Sequence, residues 1–330
     1  MANKVYVRSL RANNTPSTTE ATWKDYEDLV KRCFDNREAD IGRFLRRHLG
    51  GISPELIQEI AKTITHGLKP DETIEDKLAK FLQDSEKRFT DEVKERLLSL
   101  PDHGAWEVGL IIISDIPFHN LDNKFLNLLE SSNPNYTGWP VWLDSRSFSD
   151  ASARPYIFED AWEVFIASLN ARWSEIDFMR LFPEGKFYLR RALEDDISSN
   201  TSRPEPMTSL DFGLPIIRTA EAIAVGLEFA KAMGCELEKT QLAFAFKWSK
   251  LRGRMLSSWA WPGRYISPYR TAYQDEVLAI SYVPLETSES AIPQFVYNVT
   301  KRLFMVFNGF DIGRNVVEDL VKRLFERRAF

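Results

Sequence analysis

Glu194, Asp195 and Asp196 follow Arg190-Arg191 directly, and three adjacent carboxylates could hold a hard cation such as magnesium. On an extended chain neighbouring side chains point to opposite faces, so only Glu194 and Asp196 could meet at one ion, and a turn capped by charges uses the same residues equally well. Asp102, His103, Asp115, His119 and Asp122 flank a short apolar run, yet their spacing fits no metal family. Asp91-Glu92-Val93-Lys94 contains a nuclease-like Glu-x-Lys step, but that chemistry needs the pair on a strand and this stretch reads as helix. Phosphate-loop, dinucleotide, zinc-peptidase and nucleophile-elbow motifs are all missing. No catalytic residue, metal ligand or cofactor is therefore assigned; the chain by itself reads as non-catalytic, and a metal-dependent hydrolase using Glu194 or Asp196 is kept as a further alternative.

A different chemistry stands out between Glu238 and Asp275. No acidic residue interrupts Lys239, Lys247, Lys250, Arg252, Arg254, Arg264 and Arg270, and Phe244, Phe246, Trp248, Trp259, Trp261, Tyr265, Tyr269 and Tyr273 lie among them. Cations neutralise phosphates while aromatic rings stack bases, so the mixture suits RNA or DNA. Alternation over Leu242 to Trp248 turns Leu242, Phe244, Phe246 and Trp248 inward and leaves Lys247 outside. The candidate contacts are Lys247, Lys250, Arg252, Arg254, Trp259, Trp261, Arg264, Tyr265 and Arg270. The same segment could instead be neutralised by acidic faces of its own chain.

These residues need a scaffold. Val5-Tyr6-Val7-Arg8 alternates like a strand, ends at the turn Asn13-Asn14-Thr15-Pro16 and has no evident partner nearby. Helical patterns run from Thr22 to Leu49, from Ser53 to Gly67, and from Thr73 to Ser99, where Ile74, Leu78, Phe81, Phe89, Val93 and Leu97 share a face before Pro101. From Trp106 the character changes to β-branched and aromatic runs. Strands are expected at Val108–Ile113, Trp139–Leu143, Trp162–Ile166, Phe187–Leu189, Leu242–Trp248 and Val277–Val283. Helices are expected around Ile216–Ala230, after Pro293, and over Val317–Leu324. Without regular strand-helix alternation this predicts an α+β fold: a closing or orphan strand in 1–20, a helical region over 21–103, and a mixed α+β domain over 104–330.

The 330 residues carry 43 basic and 48 acidic side chains, a net charge of −5, so any basic surface must be local. Cys33 and Cys235 cannot make a disulfide framework, which points to a reducing cytoplasm. The most apolar stretch, Leu214 to Ala232, is interrupted by Arg218, Glu221, Glu228 and Lys231, so no membrane partner is expected.

Gly138-Trp139-Pro140-Val141-Trp142, Asp177-Phe178-Met179-Arg180, the run from Pro183-Glu184-Gly185-Lys186 to Leu193-Glu194-Asp195, and Leu251-Arg252-Gly253-Arg254 with Trp259 together resemble the C-terminal region of prokaryotic Schlafen AlbA-type proteins. The resemblance covers most of the chain after residue 138 and, loosely, its first 20 residues, where Val5-Tyr6-Val7-Arg8 reads like the closing strand of a Schlafen core. It implies a recognition or regulatory module of a nucleic-acid-associated protein active in antiviral defence. The family's catalytic carboxylates would lie upstream, and none is matched here. The alternative is a module for protein interaction, phage-protein sensing or self-association, with Trp139, Trp142 and Trp261 as anchors. Trp162, Trp173 and Trp248 are expected in the core.

Overall fold

The computed structural model describes residues 6–10, 16–20 and 72–327, except 170–173, 262 and 268. The helices expected within 22–67, together with Cys33 and Trp173, lie outside the described residues. Two compact units divide at Thr73/Ile74. In the first, β1 (Tyr6–Leu10) pairs antiparallel with β2 (Pro16–Glu20), Tyr6 opposite Glu20 and Leu10 opposite Pro16. The strand expected to lack a nearby partner thus has one. Its mate, Pro-Ser-Thr-Thr-Glu, carries no apolar alternation and is given away only by its adjacent threonines.

The second unit is a mixed α+β fold built on a seven-stranded sheet. The strands are β3 (Ala105–Ile113), β4 (Tyr156–Phe158), β5 (Ala161–Leu169), β6 (Ser174–Phe182), β7 (Lys186–Ala192), β9 (Gln241–Ser249) and β11 (Val277–Pro284). Their order is β11-β9-β3-β7-β6-β5-β4, and every pairing is antiparallel. Two short parallel strands, β8 (Ser209–Asp211) and β10 (Met255–Ser257), stand apart as a separate pair. Trp139–Leu143 is not a strand: Gly138 and Trp142 both take positive φ, which breaks an extended run.

Helices cover both faces. α1 (Ile74–Glu95) lies on one, where Leu78, Leu82 and Phe89 meet Ile111, Phe165, Phe178 and Tyr188. The sequence groups this helix with the region over 21–103, whereas its apolar stripe packs on the sheet and it belongs to the same compact unit. Charges are buried beneath it: Arg88 and Arg180 both donate to Glu163 at 3.1 and 3.0 Å, and Tyr188 donates to Glu107 at 2.6 Å. The opposite face carries α4 (Gly213–Ala232), with α2 (Asn123–Ser132), α5 (Ile292–Met305) and α6 (Arg314–Phe325) packed around it. Surrounded in this way, α4 is buried nearly all round, which explains its apolar composition. No helix among the described residues is long and apolar enough to cross a membrane.

Candidate nucleic-acid interface

The basic aromatic segment leaves the sheet at the end of β9 and returns at β11, passing through β10 and the loop 258–273. Its root is fixed by three carboxylates. Asp195 and Asp196 lie in the short helical turn α3 (Glu194–Ile197), and Asp211 ends β8. Asp195 Oδ1 accepts the Trp259 indole N–H at 2.8 Å and the Asp211 backbone N–H at 2.6 Å. Asp211 Oδ2 accepts the Ala260 N–H at 3.0 Å, while its Oδ1 accepts those of Gly213 and Leu214 at 2.7 and 3.1 Å, capping α4. One buried carboxylate thereby ties the loop to the start of the central helix. Burial, with the Asp211 carboxylate nearby, pushes the Asp195 carboxyl up to about 8, and burial raises Asp211 to about 6. Trp261 packs on the first turn of α4 so closely that a Cβ on Gly213 would fall 2.1 Å from its indole nitrogen.

The basic residues divide by position. Arg254 is fully buried: it grips Asp196 through two bonds of 2.6 and 2.9 Å and donates to the Ser209 carbonyl at 2.8 Å. It is out of reach of any ligand, a correction to its expected role as a contact. Lys247 is not outside either. It projects from β9 to the α1 side and bonds Glu86 at 2.9 Å, with Glu276 at 3.4 Å. Lys250 pairs with Asp102, and Arg264 with Asp319 on α6. Four of the expected cations are therefore paired within the chain, Arg254 and Lys247 in buried surroundings and Lys250 and Arg264 at the surface, through partners that a local reading of the sequence cannot see. Arg252 is exposed and makes no ion pair among the described residues. Arg270 is half-buried, its guanidinium 5.7 Å from the Phe310 ring centre.

The aromatics divide as well. Phe244, Phe246 and Trp248 face α4 in the core, as the alternation predicts. Trp259 and Trp261 are half-buried supports of the loop. Tyr265, Tyr269 and Tyr273 are 83%, 81% and 75% exposed. Tyr269 adopts φ +69°, a conformation costly for a bulky residue. Asn308, in the turn between α5 and α6, holds it there by donating to the Tyr269 carbonyl at 2.8 Å, and the Asn308 carbonyl accepts from Arg270 at 3.0 Å. Sequence reasoning did not include Asn308. Its only local sign is the turn pair Asn308-Gly309, which says nothing of a partner 39 residues earlier.

The other candidates do not assemble. Glu194 binds Arg218, and Asp196 binds Arg254, so guanidinium groups stand where a cation would have to sit. His103 faces the Pro101 carbonyl at 2.7 Å, His119 the Met233 carbonyl at 3.1 Å, and Asp122 caps α2. Glu92 lies on α1 between Arg88 and Arg96. No group of three metal-ligating side chains occurs among the described residues. Trp142 is buried, and Trp139 donates to Asp177 at 3.0 Å. Set against protein-family models, curated proteins and solved structures, the chain matches none.

Proposed function

We propose that this chain is a non-catalytic recognition module of a Schlafen-like protein, and that the loop 258–273 with Arg252 binds single-stranded RNA or DNA. The observation that carries the reading is the set of three exposed tyrosines, one of them kept at a backbone cost by Asn308. Tyrosine faces stack on bases of any sequence, and Arg252 and Arg270 supply two cations for the backbone. The resemblance carried by Leu251-Arg252-Gly253-Arg254 and Trp259 points to the same class of ligand, in a defence setting.

Because Arg254 and Lys247 are taken up inside the fold and Lys250 and Arg264 already carry carboxylate partners, binding rests on stacking more than on charge. Two phosphate contacts on a single strand give a log–log salt slope of about −1.4, roughly a sevenfold loss between about 50 and 200 mM salt. Fluorescence anisotropy of labelled 12-nucleotide RNA and DNA measures it. No binding at the lower salt defeats this reading. That outcome favours a protein partner, the second reading, which the same neutralisation supports: exposed tyrosines beside Met255 and Arg252 also have the make-up of a protein hot spot.

A further inference from the structure

Two buried arginines, one from the sheet and one from the central helix, hold the segment 137–140. Arg191 on β7 donates to the Trp139 and Pro140 carbonyls, both at 3.3 Å, and Arg218 on α4 donates to the same Trp139 carbonyl and to the Thr137 hydroxyl, both at 3.1 Å. The Trp139 indole is held as well, by donating to Asp177 at 3.0 Å. The segment forms neither helix nor strand and turns through a positive φ at Gly138, so it depends on these bonds. Fixed in this way, Trp139 stands 5.7 Å from Phe148, ring centre to ring centre, and walls a cleft of about 310 Å³ together with Asp150, Ala153, Ile166 and Ser168.

The charges around the two arginines do not balance. Asp177 accepts from Arg191, Glu194 and Glu221 accept from Arg218, and Glu221 also accepts the Thr137 hydroxyl at 2.7 Å. A fourth carboxyl, Glu175, lies two residues before Asp177 on β6 and so on the same face of the sheet. Among the described residues it is faced by Asp177 on its own strand, Arg191 from β7, Glu194 from α3 and Arg218 from α4, while Ser168, opposite on β5, is uncharged. Four carboxyl groups thus share two guanidiniums. Three of them have donors, whereas Glu175 Oε2 is buried and accepts no hydrogen bond. Burial, with the Asp177 charge adding to it, pushes Glu175 up to about 8. We propose that Glu175 carries the proton of this cluster, and that its loss to solvent draws Arg191 and Arg218 away from the Trp139 and Pro140 carbonyls, making Trp139 a pH-gated wall of the cleft. An ionised Glu175 needs donors, and the guanidinium groups that face it are the ones now bonded to those carbonyls. The segment is closed while the proton is held and loosens as pH rises. The device stands apart from the tyrosine loop and from what that loop binds.

Full-length protein labelled with ¹⁵N at tryptophan tests the proposal, with W139F assigning the Trp139 indole resonance. As pH is raised from neutral, that resonance is expected to move with a midpoint near pH 8, and in E175Q, whose amide stays neutral, to remain at its low-pH position. The Trp259 indole, bonded to Asp195, should titrate alike in both proteins, which separates the two carboxyl groups. Amide exchange over 136–143, divided by the intrinsic rate at each pH, reads the release. Between about pH 7 and pH 9 the parent is expected to accelerate by up to about tenfold, the rise in ionised Glu175 over that range, while E175Q stays constant. A Trp139 resonance that does not move, or that moves equally in E175Q, overturns the proposal. So does exchange that rises equally in the two proteins or in neither.

Discussion

Arg254 and Asp196 face each other in a two-bond ion pair closed off from solvent, with the Asp196 oxygens also accepting the Gly104 and Met207 backbone N–H groups at 2.7 and 2.6 Å. The pair joins the start of β3, the turn α3 and the segment leading to β10. Removing one partner of such a pair strands the other charge without solvation, so R254A is expected to lose about 3–5 kcal/mol of unfolding free energy. R252A, two residues away on the surface, should stay within about 0.5 kcal/mol of the parent. Urea unfolding followed by tryptophan fluorescence compares them. Equal stability of the two variants would contradict the burial of Arg254.

Tyr269 separates strain from contact. Glycine tolerates the left-handed conformation that tyrosine adopts there, so Y269G is expected to keep or slightly raise stability, by up to about 1 kcal/mol. The same change removes a stacking face worth about 1–3 kcal/mol of single-strand affinity. Tighter or unchanged binding of labelled oligonucleotide by Y269G would remove Tyr269 from the interface.

The Asp195 carboxyl titrates near 8, far above its ordinary value of 3.8. The folded chain therefore retains a proton that the unfolded chain releases. This stabilisation is complete below about pH 4 and is lost as pH rises through about 8. Asp211 acts with the same sign and is spent near pH 6. His103, kept neutral by burial, works oppositely but only below about pH 6.5, so the informative window is pH 6.5 to 9. Across it the melting temperature of the parent is expected to fall relative to that of D195N, which keeps an acceptor oxygen but cannot ionise. A constant difference with pH would rule out a raised Asp195.

Gly213 lies against Trp261. A methyl group there would stand 2.1 Å from the indole nitrogen, so G213A must displace the ring or the first turn of α4. Overpacking of this kind costs about 1–3 kcal/mol. The loop should also loosen, seen as faster amide exchange over 258–266 than in the parent. Unchanged exchange there would mean that Trp261 does not anchor the loop.

Much of the scaffold is legible in the sequence because its periodicities are clean. β3, β9, β11 and the helices α4, α5 and α6 follow from apolar runs or stripes bounded by Gly and Pro. β6, deep inside the sheet, does not. Its Glu175, Asp177 and Arg180 break the apolar pattern, and only the fold supplies what pays for their burial: Asp177 meets Arg191 on β7, and Arg180 meets Glu163 on β5. The same blindness affects the interface. A run of seven cations without an acid reads as a ligand surface until Glu86, Asp102, Asp196 and Asp319, brought in from four other parts of the chain, neutralise four of them. The aromatic half of the reading is less affected, since a tyrosine's exposure in a polar loop needs no distant partner.

The order of the sheet sets a schedule for synthesis. β3 lies between β7 and β9, so the first strand of the sheet to leave the ribosome waits until residue 186 for one neighbour and residue 241 for the other. While residues 114–185 are being made, the sequence Ala-Trp-Glu-Val-Gly-Leu-Ile-Ile-Ile has no sheet neighbour on either edge, and one edge stays open until β9 follows. Unpaired strand edges of this kind favour aggregation during synthesis, and the sheet can close around β3 only late, once its two antiparallel partners have been made.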